Sequence, residues 1–265
     1  MGQVIVITSG KGGVGKTTTV ANIGAALAMI GKRVALVDAD IGLRNLDVVM
    51  GLENRIVYDI VDVVEGFCRL KQALIKDKRF GDNLSLLPAA QTKEKTAVSP
   101  DAMRTICSEL KADCDFVLID CPAGIEQGFR NAVAPAEQAI IVTTPDVSAV
   151  RDADRVIGLL EAQGLREPML IVNRIRPSMV RRGDMMTVDD ITEILAVPLL
   201  GVIPEDEGII VSTNRGDPAA TAQASLAGTG YRNIARRLNG QEVPLMSLEP
   251  RNGLLSRFRR MVGGR

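Results

Sequence analysis

The chain has 265 residues, 46% of them hydrophobic, which is enough for one large α/β domain or two small ones. It contains no histidine, and this excludes Ser-His or Cys-His catalysis and histidine-bound metals. No two of its four cysteines form a C-x-x-C pair, so a zinc or iron–sulfur site within one chain is disfavoured. They are Cys68, Cys107, Cys114 and Cys121.

The net charge of zero is unevenly distributed along the chain. Residues 251–265 contain five arginines and no acid, so the other 250 residues carry 27 basic and 32 acidic side chains, a net charge of −5. We therefore expect no specific nucleic-acid partner for the body of the protein. Because the sequence shows no secretion signal and no apolar run of membrane-spanning length, we expect a cytoplasmic protein.

Apolar runs that predict strands alternate with segments that predict helices. Consecutive apolar residues, as at 116–119, are typical of strands buried on both faces. The pattern predicts a doubly wound, mostly parallel α/β sheet with helices on both faces and a ligand at the carboxyl ends of the strands. Strands are predicted near 3–8, 33–38, 84–88, 115–120, 138–143, 168–173 and 199–203. Helices are predicted near 16–30, 56–65, 69–76, 100–111, 126–134, 147–163, 188–195, 206–214 and 218–238.

The first predicted strand and helix are joined by a loop with the pattern G-x-x-x-x-G-K-[ST]. Glycines in such a loop turn backbone N–H groups toward phosphate oxygens, and the helix N-terminus adds partial positive charge. Lys16 is expected to contact the β- and γ-phosphates, and the Thr17 hydroxyl to bind Mg²⁺. The predicted nucleotide contacts here are Gly10, Lys11, Gly12, Gly13, Val14, Gly15, Lys16, Thr17 and Thr18.

Lys11 is a second lysine in a loop that already has Lys16. One set of phosphates does not require it. Its presence suggests that phosphates are contacted from a second direction.

Acidic residues follow two of the predicted strands. Asp120 is expected to hold Mg²⁺ through water, and Asp40 to orient or deprotonate the attacking water. The N–H of Gly124 is a candidate contact of the γ-phosphate. The predicted catalytic residues are therefore Lys11, Lys16 and Asp40, and the predicted metal ligands are Thr17 and Asp120.

The residues around the end of the strand at 168–173 indicate which nucleotide base is bound. The N-K-x-D pattern of guanine-specific sites is missing there, since residues 172–176 read V-N-R-I-R. The amide of Asn173 can pair with the donor–acceptor edge of adenine. ATP is therefore the favoured nucleotide.

The C-terminal residues predict a short amphipathic helix that binds an anionic membrane surface. Five apolar side chains fall within an arc of about 120°, with three arginines outside it. Residues 240–253, with two prolines and two glycines, predict a flexible linker between a domain at 1–239 and this helix at 254–265. The predicted membrane-binding residues are Leu254, Leu255, Arg257, Phe258, Arg259, Arg260, Met261 and Val262.

One such helix is expected to bind weakly and reversibly, because ordering a short helix offsets much of the apolar burial. Two helices on one dimer gain affinity through effective concentration. Dimerisation driven by ATP would thereby become membrane attachment.

The stretch K-G-G-V-G-K-T-T at 11–18 resembles the deviant phosphate loop of an ATPase superfamily that includes ParA and MinD. The segments at 40–47, 73–77, 120–126, 150–152 and 201–206 further resemble the MinD septum-site-determining ATPases of bacteria. The resemblance covers nearly the whole chain, including its C-terminal residues. One departure is Cys121, where serine is common.

The resemblance implies a homodimer that encloses two ATP molecules, with Lys11 reaching the partner's phosphates. It implies that Asn173, Pro204 and Asp206 line the adenine. It also implies slow, activator-stimulated hydrolysis. The ATPase would recruit a septum inhibitor, MinC, to the inner membrane, and an activator, MinE, would release the ATPase from the membrane. The expected location is the cytoplasm and the peripheral inner membrane.

Other classes share parts of this pattern. A ParA-like DNA-partition ATPase requires a basic body, which the net charge of −5 disfavours. A flagellar-number ATPase shares the scaffold and a similar C-terminal helix, and only the length of the resemblance speaks against it. A reductase like the nitrogenase iron protein requires a second suitably placed cysteine beside Cys121. Arg151, Asp152 and Asp154 belong either to a partner-binding helix or to an exposed charged face.

Overall fold

The structure, a computed structural model, describes residues 2–246. The predicted membrane helix and the part of the predicted linker at 247–253 lie outside the described residues, so the domain boundaries remain predictions. Among the helices of residues 2–246, none is long and apolar enough to cross a bilayer.

The described residues form one eight-stranded sheet in the order β3-β4-β2-β5-β1-β6-β7-β8. All neighbouring strands run parallel except β3, which pairs antiparallel with β4. The predicted doubly wound α/β fold is therefore confirmed. The strands are β1 (Gln3–Thr8), β2 (Val34–Asp38), β3 (Ile75–Lys76), β4 (Leu84–Leu87), β5 (Phe116–Asp120), β6 (Gln138–Thr143), β7 (Met169–Ile175) and β8 (Leu199–Pro204).

Helices cover both faces of this sheet. Alternate residues of β1 enter different cores: Val4 and Val6 pack on one face, and Ile5 and Ile7 on the other. Burial on both faces explains why the strands are continuously apolar. The helices are α1 (Lys16–Met29), α2 (Leu46–Met50), α3 (Ile60–Val64), α4 (Leu70–Ala73), α5 (Pro100–Asp113), α6 (Gln127–Val133), α7 (Val147–Ala162), α8 (Pro177–Arg182), α9 (Val188–Leu195), α10 (Gly208–Asn214) and α11 (Leu226–Leu238).

The helix predicted at 69–76 is wrong at its C-terminal end. It stops at Ala73, and Ile75–Lys76 forms β3. The residues of β3 pair with Leu86 and Ser85 of β4, and the side chain of Ile75 is buried. Pairing with the sheet edge therefore overrides the helical pattern of this apolar run.

The helix predicted at 218–238 begins too early. Residues 219–221 form a separate 3-10 turn, and Ser225 caps α11 by accepting a hydrogen bond from the N–H of Gly228. The N–H of Ala220 donates to Asn22 of α1, which holds the turn against that helix. The short helices α2 and α8 were not predicted.

The topology brings three loops to one edge of the sheet. β1 pairs with β5 on one side and β6 on the other, and β2 pairs with β5. The loops that follow β1, β2 and β5 therefore meet at the carboxyl edge, where ligands of doubly wound sheets bind. These loops contain the predicted phosphate loop, Asp40 and Asp120 respectively.

Candidate nucleotide-binding site

The phosphate loop ends in a backbone conformation that favours glycine. Gly15 is the N-cap of α1, with φ 98°. A Cβ at this position would lie 2.5 Å from the Nδ2 of Asn173, so a side chain does not fit there. No side chain caps the N-terminus of α1, and no acid lies in its first turn. The first N–H groups of this helix are therefore available to an anion.

Lys16 is held inside this loop. Its side chain is buried, and its Nζ donates to the Oγ of Ser9 at 3.0 Å. The Ser9 hydroxyl in turn donates to the carbonyl of Lys11 at 2.7 Å. The loop thus positions one ammonium group at the start of α1 before any phosphate binds.

Lys11 has a different environment. It is exposed, and its Nζ lies 3.3 Å from the Oγ of Ser148, in the first turn of α7. The two lysines of the loop therefore bond to hydroxyl groups on different segments of the chain. That the two lysines serve different phosphates remains a prediction.

Two carboxylates face each other beside the loop. Asp38, the last residue of β2, stands opposite Asp120 of β5 in the strand register, and both are buried. Sequence analysis predicted Asp120 and missed Asp38. Asp38 was predicted only as the last residue of its strand, and Asp40, two residues further along the chain, was taken as the functional acid.

Asp38 also fixes the loop that carries Asp40. Its carboxylate accepts hydrogen bonds from the backbone N–H of Asp40 at 2.9 Å and of Leu46 at 3.2 Å. Asp40 is only partly buried. A buried carboxylate therefore orients a more accessible one at the edge of the site.

Burial raises the pKa of both buried carboxyls. The pKa of Asp120 rises to about 8, mainly through desolvation and then through the charge of Asp38, while the Thr17 hydroxyl and Lys16 lower it. Desolvation likewise raises the pKa of Asp38 to about 7, against the two backbone N–H donors. The pair is therefore costly to ionise without a cation.

The surroundings of Asp120 fit a magnesium ion. Its buried Oδ1 has no hydrogen-bond partner within residues 2–246, and the nearby Thr17 hydroxyl lowers the pKa of its carboxyl. A carboxylate and a hydroxyl at the start of a phosphate-binding helix are oxygen ligands of the kind Mg²⁺ prefers. Thr17 and Asp120 would hold the ion there. The nearby Cys121 is buried, and its N–H donates to Ile7 at 3.1 Å, so this departure leaves the strand pairing intact.

A cavity of about 620 Å³ adjoins the start of α1. The three residues predicted to line the adenine, Asn173, Pro204 and Asp206, come together there with Gly15 and Thr18 of the phosphate loop. Arg174 and Tyr231 also line this cavity and were not predicted.

Asn173 and Asp206 also shape this cavity. The Nδ2 of Asn173 donates to the carbonyl of Val14 at 2.7 Å, which ties β7 to the phosphate loop. Arg174 has φ 57° beside an irregularity in the β7–β8 pairing, and its N–H donates to the Oδ1 of Asn173. Asp206 accepts from the N–H of Gly208 at 2.8 Å and thereby holds the first turn of α10. Both side chains therefore build the walls of the cavity.

Comparison with known proteins shows that the chain contains a nucleotide-binding domain. A family model for the CobQ/CobB/MinD/ParA nucleotide-binding domain matches residues 5–219. The septum site-determining protein MinD of Bacillus subtilis is 58% identical, and the match spans both chains in full.

This chain belongs to the MinD family of septum-site-determining P-loop ATPases. The MinC:MinD cell division protein complex of Aquifex aeolicus contains a chain 51% identical to it, with a TM-score of 0.86 and coverage of 92% and 99% of the two chains. MinD of Pyrococcus horikoshii, solved with Mg-ADP, is 33% identical, with a TM-score of 0.82 and coverage of 90% and 96%. The predicted family and the ATPase class are thus confirmed.

The buried carboxyl pair predicts a pH dependence of stability in the nucleotide-free protein. The native chain keeps protons on Asp38 and Asp120 up to about pH 7–8, whereas unfolded carboxyls release theirs near the ordinary value of 3.8. Stability should therefore fall as pH rises from 4 to 8. Between pH 6 and pH 8, the free energy of unfolding of Asp38→Asn should fall by roughly 1 kcal/mol less than that of the wild type.

Chemical denaturation at both pH values measures this difference. The exposed Asp82 supplies a control, because Asp82→Asn removes a carboxyl whose pKa lies below the tested range. Parallel pH curves for the wild type and Asp38→Asn would show that burial does not hold a proton at this pair.

Proposed function

We propose that this chain is an ATP-driven dimer switch that places the division septum from the inner membrane. The ATP-bound homodimer attaches through its two C-terminal helices and presents a surface to a MinC-like inhibitor. Hydrolysis of ATP, accelerated by a MinE-like activator, releases the ATPase from the membrane to the cytoplasm. The position of Lys11 is the observation that carries this proposal.

Lys11 lies at an exposed edge, bonded to Ser148, in a loop where Lys16 and Thr17 already serve the chain's own nucleotide. Because its ammonium group bonds outside its own loop, it is available to phosphates approaching from a facing subunit. This is also the role that the family resemblance implies for it.

The loops around this edge expose apolar side chains. Leu43 follows Asp40, Ile125 follows Asp120, and Val147 begins α7 next to Ser148; they are 62%, 41% and 66% exposed. Exposed apolar residues gathered around a polar site are typical of a protein interface. They support a dimer face that covers the phosphates.

Asp40 is the candidate that orients the attacking water. Asp38 fixes its backbone, and its partly buried carboxyl stands at the strand edge beside Asp120. Thr17 and Asp120 would hold Mg²⁺, which would supply neutralisation of the charge on the transferred phosphoryl group. A lone carboxylate is a weak base, so hydrolysis is expected to be slow without an activator.

A groove of about 270 Å³ on α7 and α9 is our candidate for the surface that binds the MinC-like inhibitor. It combines apolar side chains with the charged Arg151 and Asp154. The solved MinC:MinD complex of Aquifex aeolicus supports a MinC-like protein as a partner, and we place it in this groove. The lining residues are Val147, Val150, Arg151, Asp154, Met186 and Ile194.

Binding and hydrolysis should separate in two variants. Lys16→Ala should abolish ATP binding because it removes the buried ammonium group of the loop. Asp40→Ala should bind ATP but not hydrolyse it, and should therefore accumulate as dimer. Equilibrium binding of a fluorescent ATP analogue and light scattering measure the two properties. An Asp40→Ala chain that binds ATP and stays monomeric would contradict the assigned role.

Membrane attachment should require both ATP and the C-terminal apolar arc. Phe258→Glu places a charge about 40° from Leu254 on that arc, where acyl chains would lie. It should abolish sedimentation with anionic vesicles and leave ATP-dependent dimerisation intact. Higher salt should weaken wild-type binding, because the arginines act through screened attraction.

Ser256→Glu is the matched control, because it adds the same charge about 200° from Leu254 and so off the apolar arc. It should reduce vesicle binding much less than Phe258→Glu does. Equal wild-type binding with ADP and ATP would refute the switch. Loss of dimerisation in Phe258→Glu would instead indicate that these residues pack on the body.

A further inference from the structure

Arg79 lies away from the phosphate loop, in a 3-10 turn between β3 and β4. All five N–H groups of its guanidinium are used. Nε and Nη2 bond to the buried carboxylate of Asp77, and Nη1 bonds to Asp217 at 2.6 Å. The two remaining N–H groups donate to the carbonyls of Met50 at 2.5 Å and Gly216 at 2.7 Å. We call this set of contacts the Arg79 clamp.

The clamp joins the C-terminal ends of α2 and α10. Met50 is the last residue of α2, and Gly216 follows the C-cap of α10. The glycines after the two helices, Gly51 and Gly216, both have positive φ. A Cβ on Gly216 would lie 2.4 Å from the Cα of Gly51, so the two backbones touch. A cation at two helix C-termini is also electrostatically favourable.

The other ends of these two helices lie at different parts of the nucleotide site. At the start of α2, the N–H of Leu46 donates to Asp38, and Arg44 pairs with the buried Asp47 at 3.0 Å. At the start of α10, the N–H of Gly208 donates to Asp206 in the wall of the base cavity. The acid loop and the base cavity are thus connected through two short helices and one arginine.

We propose that Arg79 is a positioning residue that couples occupancy of the base cavity to the position of the acid loop at residues 38–47. A nucleotide base that orders α10 would order α2 through the clamp, and α2 would hold Asp38 and hence Asp40. Phosphates alone would not act through this route. The proposal rests on the proposed base cavity and adds the path by which that cavity reaches the hydrolytic carboxylates.

Lysine cannot replace arginine in this clamp. An ammonium group keeps a charge beside Asp77, but it lacks the planar fork that reaches two carbonyls and two carboxylates together. Arg79→Lys therefore leaves Asp77 paired while it disconnects α2 from α10. Gly216→Ala disconnects them in another way, because its Cβ pushes the two backbones apart.

Amide hydrogen exchange, measured by mass spectrometry, tests the coupling. The wild type is compared at saturation with Mg-ADP and with Mg-pyrophosphate, which lacks the base. Mg-ADP should slow exchange at residues 46–51 by about fivefold or more relative to pyrophosphate, the size typical of coupled sites. In Arg79→Lys, and in Gly216→Ala if Arg79→Lys does not fold, this ratio should fall to near one. Exchange at 208–214 should still respond to ADP.

Arg237→Lys is the matched control. Arg237 is a partly buried arginine of α11 that donates to the carbonyls of Leu200, Val243 and Pro244, without joining α2 to α10. The Arg237→Lys variant should be less stable than the wild type but should keep the wild-type ratio of exchange rates at residues 46–51.

Persistence of the ratio in a folded Arg79→Lys, or in Gly216→Ala where Arg79→Lys does not fold, would overturn the proposal, as would equal loss in Arg237→Lys. So would a wild type in which ADP protects 208–214 but not 46–51. Absence of ADP-specific protection at 208–214 in the wild type would instead refute the base cavity itself.

Discussion

Two buried carboxylates, Asp38 and Asp120, must coexist at adjacent strand ends, and the site is organised around that constraint. Their opposite positions in the β2–β5 register follow from the parallel pairing of the sheet. Burial raises the pKa of both carboxyls, so they are stable as a charged pair only when positive charge is brought to them. Lys16, the start of α1 and a bound metal ion are the available sources of that charge.

This constraint explains how the phosphate loop and the acid loop depend on each other. The Thr17 hydroxyl at the start of α1 lowers the pKa of Asp120, and Asp38 holds the backbone of Asp40. A change in charge at one strand end therefore acts on Asp40, the residue that we predict to orient water. The loop geometry keeps Lys11 out of this arrangement, bonded to Ser148 at the start of α7.

Local sequence was sufficient for the parts of the site whose chemistry lies in one short segment. The phosphate loop, Asp120 and the positions of most strands along the chain were predicted because a glycine pattern and apolar runs specify them directly. The residues brought together at the base cavity, including Asn173, Pro204 and Asp206, were predicted through the family resemblance. The structure places these residues in the lining of the cavity. Their roles as nucleotide contacts remain predictions.

What the sequence did not predict depends on contacts between distant residues. Asp38 looks like the end of a strand, and only its register against Asp120 shows it to be half of a pair. Ile75 looks helical until β4 lies beside it. Arg79 reaches Gly216 across 137 positions of sequence, and no local pattern indicates such a bond. In all three cases a contact with a distant part of the chain determines the structure. The periodicity and motifs of a single sequence do not contain that information.

The central claim is that Lys11 completes the site of the facing subunit, and mixing two inactive variants tests it most directly. Lys11→Ala and Asp40→Ala chains are assayed for ATP turnover on anionic vesicles, separately and together. In a mixed dimer, the site of the Lys11→Ala chain keeps its own Asp40 and receives Lys11 from the other chain. The mixture should therefore turn over ATP well above either variant alone. Turnover equal to the sum of the separate variants would contradict the account, because a lysine that serves its own site cannot be supplied by a partner.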